Sequence, residues 1–240
     1  RLSLVGSEMC IRDRAETMDD TARLASAAGY EALRDAGIPL VLETRRTTTG
    51  ADIPVGWYLP EGLKDETGVI FASAFPGLNR FAREMEKYYR HALLGEPYEF
   101  DRKILFGILA MGHTQFAQLI HARGPNLQVN AACASAIIAM CTAADWIRAG
   151  RCRRVVVISA DNASSSALMP WVGGGFLASG GAATDERVED AAIPFDRRRH
   201  GLIVGMGAAA VVLEAWDEVR ARGMTYLARV VNTRILNSAF

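Results

Sequence analysis

Two short apolar segments on either side of an alanine-rich segment limit most strongly how this chain can fold. Residues 127–129 (LQV) and 155–159 (VVVIS) have the length of strands, and residues 134–149 between them are rich in alanine and end at Gly150. A strand, a helix and a second strand in this order predict a parallel crossover unit whose sheet is covered by helices. The sequence therefore predicts an α/β protein.

Other elements are predicted from similar patterns. A helix is predicted at residues 24–36, where Leu24 and Leu33 share a helical spacing with several alanines and Gly37 follows the last turn. The remaining predictions are strands at 69–73, 208–213 and 226–231, helices at 81–94, 102–110, 114–122 and 216–222, an irregular excursion at 41–66 and a glycine-rich loop at 173–181. Residues 155–159 and 208–213 are apolar on both faces, which is typical of parallel strands buried between helix layers.

The composition excludes several classes of protein. Half of the 240 residues are hydrophobic, which excludes intrinsic disorder, and 27 basic residues balance 27 acidic ones. A net charge of zero argues against nucleic-acid binding and against capture by an anionic membrane. We find no apolar run of about 20 residues that could span a bilayer and no secretory signal.

The first 14 residues differ in character from the rest. They read RLSLVGSEMCIRDR, have no helical or strand period, and resemble translated cloning or adapter sequence. We therefore expect residues 1–14 to be a non-native or disordered leader and residues 15–240 to form one domain. An ordinary native extension is the alternative.

The four cysteines are Cys10, Cys133, Cys141 and Cys152. None forms a C-x-x-C pair, so no metal site is expected. Four cysteines in 240 residues are also too few for a disulfide scaffold, which favours a reducing, cytoplasmic location.

Cys133 is the candidate nucleophile. It lies between a predicted strand and the first turn of an alanine-rich helix, and its small neighbours leave room for an acyl chain to approach the sulfur. The N-terminal end of a helix carries a partial positive charge, which favours the nucleophilic thiolate. The alternative is a small buried core residue. Cys141 is predicted to lie in the core and Cys152, among arginines, in a surface loop.

Two other patterns are weaker. Residues 205–210 (GMGAAA) match the G-x-G-x-x-A dinucleotide fingerprint but run straight into the strand-like residues 210–213. Because the fingerprint requires a following helix and a distal acidic residue, we exclude nucleotide binding there and expect the glycines to allow close packing of a central strand. The histidines (His91, His113, His121 and His200) are isolated in sequence, so none is assigned as a base.

Four stretches, in the expected order, resemble the β-ketoacyl synthases, the condensing enzymes of fatty-acid and polyketide assembly. They are residues 123–135 (RGPNLQVNAACAS), the crossover from 146–150 (WIRAG) to 155–157 (VVV), residues 172–176 (VGGGF), and the region from 193–196 (IPFD) to 211–214 (VVLE). The resemblance places Cys133 at the acyl-accepting nucleophile and Phe176 on the loop whose phenylalanine gates the acyl pocket.

The resemblance implies a thiolase-like fold, layered α/β/α, of which this chain is the N-terminal half. It also implies a homodimer, no cofactor, and acyl and malonyl thioesters carried on the phosphopantetheine of an acyl carrier protein. The family's two catalytic histidines and a lysine belong to its second half, so we expect this chain alone not to condense.

Some positions depart from the family. Met206 replaces a usual acidic residue, His200-Gly201 replaces a common Asp-Gly, and residues 1–14 do not supply the usual glycine-containing apolar strand. Two alternatives stay open. One is a coenzyme A-dependent enzyme of the thiolase type, and the other is a non-catalytic dimer partner or scaffold. In such partners the nucleophile is typically replaced, so Cys133 argues against the second alternative.

Overall fold

The computed structural model describes residues 18–46, 48–109 and 111–237. The strands there are β1 (Val41–Arg46), β2 (Asp52–Tyr58), β3 (Thr67–Ala72), β4 (Asn126–Val129), β5 (Arg154–Asn162) and β6 (Met206–Glu214). The helices are α1 (Asp20–Asp35), α2 (Glu61–Lys64), α3 (Leu78–Leu94), α4 (Ile104–Ile108), α5 (Gly112–Ile120), α6 (Ser135–Arg148), α7 (Met169–Ala178), α8 (Val188–Ala191) and α9 (Trp216–Ala221). The leader predicted at residues 1–14, with Cys10, lies outside the described residues. In these ranges, no helix has both the length and the apolarity needed to cross a membrane.

One sheet of four strands, in the order β4-β3-β5-β6, organises the fold. Strand β3 pairs in parallel with β4 on one side and with β5 on the other. The chain passes from β4 through α6 to β5, so this connection crosses over β3. The parallel crossover predicted from residues 127–159 is confirmed.

Helices cover the sheet on both faces because alternate residues of a strand point to opposite sides. On one face, Val69, Phe71 and Ile158 pack in one cluster with α1 and α5. On the other face, Ile70 and Val157 pack in a second cluster with α6. The predicted layered α/β/α arrangement is therefore confirmed.

Strand β6 differs from its prediction. It pairs with β5 in the antiparallel direction, from Arg154↔Glu214 to Asn162↔Met206, and its residues are exposed or half-buried. The expectation of a parallel strand buried on both faces is wrong, because apolar composition does not encode strand direction. A Cβ atom at Gly205 or Gly207 would meet no atom within 4 Å, so the expected close packing at these glycines is not present in the described chain.

Helix α1 packs unusually close to the sheet. Its first turn is capped by Asp19, whose carboxylate accepts a hydrogen bond of 3.1 Å from the backbone N–H of Thr21. A Cβ atom at Gly29 would lie 2.4 Å from the ring of Phe116 and 2.9 Å from Cδ1 of Ile158. Only glycine allows this approach, which brings α1 onto α5 and β5. The helix predicted at residues 24–36 is confirmed.

The threonines, glycines and prolines of residues 41–66 predict an irregular segment, and this prediction is wrong. Strands β1 and β2 form an antiparallel hairpin, with a register shift between Glu43 and Thr44, and α2 follows. Every residue of β1 is exposed, so the alternation of polar and apolar residues that marks a half-buried strand is missing from its sequence.

Two further predictions near the C-terminus are wrong. Residues 173–181 were expected to form a glycine-rich loop, but residues 173–178 belong to helix α7, which begins with Pro170 in its first turn. Residues 226–231 were expected to form a strand, but they have no regular structure. Leu227 there is 97% exposed, and no strand of the described chain pairs with this segment.

Candidate active site

The carboxyl ends of three parallel strands meet at one edge of the sheet. Strand β3 ends at Ala72, β4 at Val129 and β5 at Asn162. Ligands of open α/β sheets bind in the crevice outside this edge. Cys133 lies four residues after the end of β4 and two residues before α6 begins, so the predicted nucleophile lies at this edge.

A tight turn holds Cys133 in place. Ala132 has a φ of 50°, in the left-handed region that residues other than glycine adopt at a cost. The Oδ1 of Asn130 accepts a hydrogen bond of 3.2 Å from the N–H of Ala132. The buried hydroxyl of Ser135 accepts a bond of 2.8 Å from the N–H of Ala131 and donates one of 2.6 Å to the carbonyl of Ala132. These bonds stabilise a conformation that leaves the Cys133 side chain exposed.

A second loop at this edge is held by Asp161. Its carboxylate accepts hydrogen bonds from the hydroxyl of Ser73 at 2.8 Å and from the N–H groups of Ala74 and Phe75 at 2.9–3.1 Å. The carbonyl of Ala74 in turn accepts a bond of 3.0 Å from Nδ2 of Asn130. A continuous chain of hydrogen bonds therefore runs from Asp161 on β5 to the turn that presents Cys133.

The sequence did not predict this role of Asp161. Its position was a signal, because a carboxylate at the end of an apolar strand lies where parallel strands place functional groups. Its partners could not be identified in advance, because two of them are backbone N–H groups.

The three described cysteines differ in accessibility. Cys133 is exposed, Cys141 is buried in α6 as predicted, and Cys152 is only 1% exposed. The expectation that Cys152 lies in a surface loop is wrong. Burial, and the nearby carboxylate of Glu66, raise the pKa of Cys152 above its ordinary value. Of the three, only Cys133 combines exposure with a helix start.

Phe176 lies on helix α7 and not on a loop. Its carbonyl accepts hydrogen bonds from the N–H groups of Gly181 at 2.7 Å and Ala182 at 3.0 Å, and its half-buried ring lies against Gly181. These contacts are with the segment after α7 and not with Cys133. The three glycines that precede Phe176 therefore lie in helical backbone.

The histidines contact groups other than Cys133. Nδ1 of His91 lies 2.7 Å from the Glu96 carbonyl oxygen, His121 stacks on Tyr58 with 3.7 Å between ring centroids, and Nε2 of His200 lies 2.8 Å from Asp185. Burial lowers the pKa of His113. Among the residues that the structure describes, no three His, Cys, Asp or Glu side chains lie together as a metal site would require.

A layered sheet with an exposed cysteine between a parallel strand and a helix defines the class of protein, an α/β protein with a thiol at the carboxyl edge of its sheet. The sequence matches the β-ketoacyl synthase N-terminal domain over residues 9–218. The chain belongs to the β-ketoacyl synthase family, which confirms the resemblance found in the sequence.

One curated relative and two solved structures illustrate the similarity. The chain is 30% identical to 3-oxoacyl-[acyl-carrier-protein] synthase 2 of Vibrio harveyi, over 98% of this chain and 50% of the relative. A β-ketoacyl synthase from Burkholderia phymatum STM815 superposes with a TM-score of 0.66 at 20% identity, over 92% of this chain and 48% of that one. A ketosynthase of a type II polyketide synthase, solved in complex with its acyl-carrier protein and bound to the hexaketide, gives a TM-score of 0.61 at 19% identity, over 85% and 46%.

These structural similarities show the thiolase-like fold of ketosynthases. The chain spans about half the length of the curated relatives it matches, and it corresponds to their N-terminal half.

Proposed function

We propose that the protein containing this chain is a β-ketoacyl-[acyl-carrier-protein] synthase of fatty-acid or polyketide biosynthesis, and that this chain supplies its nucleophile. The observation that carries the proposal is the exposed Cys133 between β4 and α6 in a chain of this family. The substrates are acyl and malonyl thioesters on the phosphopantetheine of an acyl carrier protein. We expect a cytoplasmic homodimer that needs no cofactor.

The first step is acyl transfer. The Cys133 thiolate attacks the thioester carbonyl, and the resulting tetrahedral oxyanion requires hydrogen-bond donors. We assign the backbone N–H of Cys133 as one of them, because it lies at the start of α6, where the helix dipole also favours negative charge. The bond to the pantetheine sulfur then breaks, and that thiol leaves with a proton.

The second step is condensation. A malonyl thioester loses carbon dioxide, the resulting enolate carbon attacks the acyl carbonyl on Cys133, and the cysteine sulfur leaves as a thiolate. The enolate must be stabilised by donors such as histidines. By resemblance, those histidines and a lysine lie in the second half of the family's chain. We also propose, by the same resemblance, that Phe176 gates the acyl pocket.

The names and titles of the similar proteins support the partner. The Vibrio harveyi relative is named as acting on an acyl carrier protein, and the polyketide ketosynthase was solved in complex with one. A non-catalytic scaffold would not need a reactive thiol, and the exposed Cys133 argues against that alternative. Acylation rates with acyl-carrier-protein thioesters and with coenzyme A thioesters distinguish the two enzymes. The synthase should prefer the carrier-protein thioester, and a thiolase-type enzyme the coenzyme A thioester.

Labelling tests the nucleophile directly. We expect an isotopically labelled acyl-carrier-protein thioester to acylate the peptide that contains Cys133, because its sulfur is exposed while Cys141 and Cys152 are buried. Peptide mass spectrometry of the complete natural protein measures this, and adding malonyl-carrier protein should then yield the β-ketoacyl product. The 240-residue chain alone should stop at acylation. Acylation of another cysteine, or of none, contradicts the proposal.

Asp161 provides a second test, because its carboxylate fixes the loop beside the Cys133 turn. We expect Asp161→Ala to slow acyl transfer by about 10- to 100-fold, the effect of a displaced reacting group. Asp161→Asn retains an oxygen that accepts from Ser73 and Phe75, so its acyl-transfer rate should fall much less. Single-turnover acylation rates measure both variants, and circular dichroism confirms their folding. Equal losses in the two variants would contradict the positioning role.

A further inference from the structure

His200 forms an ion pair that closes a loop of the chain. Its Nε2 lies 2.8 Å and 3.0 Å from the two carboxylate oxygens of Asp185, and its Nδ1 lies 2.9 Å from the carbonyl oxygen of Arg198. Both partners offer only acceptors, so both ring nitrogens must donate. A neutral imidazole has one N–H, and the complete arrangement therefore requires the imidazolium.

This pair lies beside the segment that carries Phe176. The N–H of Leu202 donates to the carbonyl of Gly181, and the N–H of Ala183 donates to the carbonyl of Leu202, both at 2.9 Å. Gly181 also donates to the Phe176 carbonyl, and a Cβ atom at Gly181 would lie 3.3 Å from Cδ1 of the Phe176 ring. Residues 181–183 thus contact Phe176 on one side and Leu202, two residues after His200, on the other.

We propose that His200 is a pH-sensitive positioning residue for Phe176. As the imidazolium, it pairs with Asp185 and holds residues 181–185 against residues 200–202, which fixes Gly181, the residue that the Phe176 ring contacts. On deprotonation His200 loses one of its two contacts, and residues 181–185 are held less tightly. If Phe176 gates the acyl pocket, loosening these contacts changes acyl selectivity, and this consequence rests on the proposed function. The coupling of His200 to residues 181–183 does not rest on it.

The surrounding charges favour the cationic form. The Arg198 carbonyl, then the hydrogen bond and charge of Asp185, raise the pKa of His200, and the carboxylate of Asp190 on α8 acts in the same direction. The guanidinium of Arg198 points instead to Asp196, at 3.1–3.2 Å. Because the folded pKa is raised, the contact is complete below the ordinary histidine value of about 6.5 and is lost as the pH rises through the raised value.

Hydrogen exchange of the amides of Gly181, Ala182, Ala183 and Leu202 tests the coupling in the complete natural protein. From pH 5.5 to pH 8.5, we expect their protection factors, corrected for intrinsic exchange, to fall about two- to fivefold, the range of an exposed ion pair. His200→Gln should show the low protection at both pH values. His200→Lys keeps a cation over this range and should show protection that no longer depends on pH.

His91→Gln is the matched control, since it removes another exposed histidine that binds a carbonyl and should leave the pH dependence of these amides unchanged. Protection that is independent of pH in the unsubstituted protein, or that is altered equally by His91→Gln and His200→Gln, overturns the proposal. Acylation of Cys133 by a short acyl thioester is measured in the same samples. Its absence in all of them would contradict the proposed function, while the exchange pattern still decides the role of His200.

Discussion

Replacing Cys133 by alanine is expected to lower acyl transfer at least about a thousandfold, because the reaction loses the atom that carries the acyl group. The same change should leave the free energy of unfolding within about 0.5 kcal/mol of its original value, as for most surface substitutions. The side chain is exposed, and the turn around it is held by Asn130 and Ser135 and not by the sulfur. Single-turnover acylation and urea unfolding of the complete natural protein measure the two effects.

Cys152→Ala is the matched control, because it removes a sulfur of the same chain from a buried site. Cys152 lies in the cluster with Val155 and Val157, and a Cβ atom at Gly68 would be 3.5 Å from its Sγ. We expect this variant to lose about 1–2 kcal/mol of stability and to keep its acylation rate. If Cys133→Ala retained more than about a tenth of the acylation rate, a different nucleophile would carry the reaction.

The core elements and the place of Cys133 between a strand and a helix could be predicted because local sequence determines them. Residues 155–159 are β-branched or small and lie in a central strand, and the alanines of residues 134–149 allow α6 to pack closely on the sheet. The position of Cys133 could be predicted because a strand-to-helix junction is visible in the pattern of residue types. Helix α1 was also predicted, over residues 24–36, since its apolar spacing and its stop at Gly37 are local.

The predictions that were wrong concern properties set by tertiary contacts. Strand β6 takes its direction from the connection that precedes it, and its apolar residues do not encode that direction. Cys152 is buried although arginines flank it, because its side chain packs with Val155 and Val157 and the neighbouring arginines form ion pairs with residues 214–218. The role of Asp161 depends on backbone groups of residues 74 and 75, which no sequence pattern reveals.

A buried ion network ties the end of the sheet to helix α1. Arg154 at the start of β5 is 1% exposed, and its Nε donates to Glu214, its partner across the strand pair, at 3.0 Å. Glu214 also accepts a bond of 2.6 Å from Arg222, which in turn donates to the carbonyls of Ala36 and Gly37 after α1. Removing Arg154 therefore leaves the buried Glu214 carboxylate with Arg222 as its remaining cation.

We expect Arg154→Met to lower the free energy of unfolding by about 3–5 kcal/mol, the cost of breaking a buried ion pair on one side. Total stabilities are only about 5–15 kcal/mol, so this loss is easily measured by urea unfolding of the complete natural protein. The control is Arg148→Met, because Arg148 pairs with Asp145 on the surface of α6, where such pairs contribute at most about 1 kcal/mol. Converting Glu214 to Leu in the Arg154→Met background removes the buried carboxylate and should recover part of the loss, because Arg222 then loses its ion pair but keeps the carbonyls of Ala36 and Gly37. If Arg154→Met unfolded no more easily than Arg148→Met, the network would not be what holds α1 to the end of the sheet.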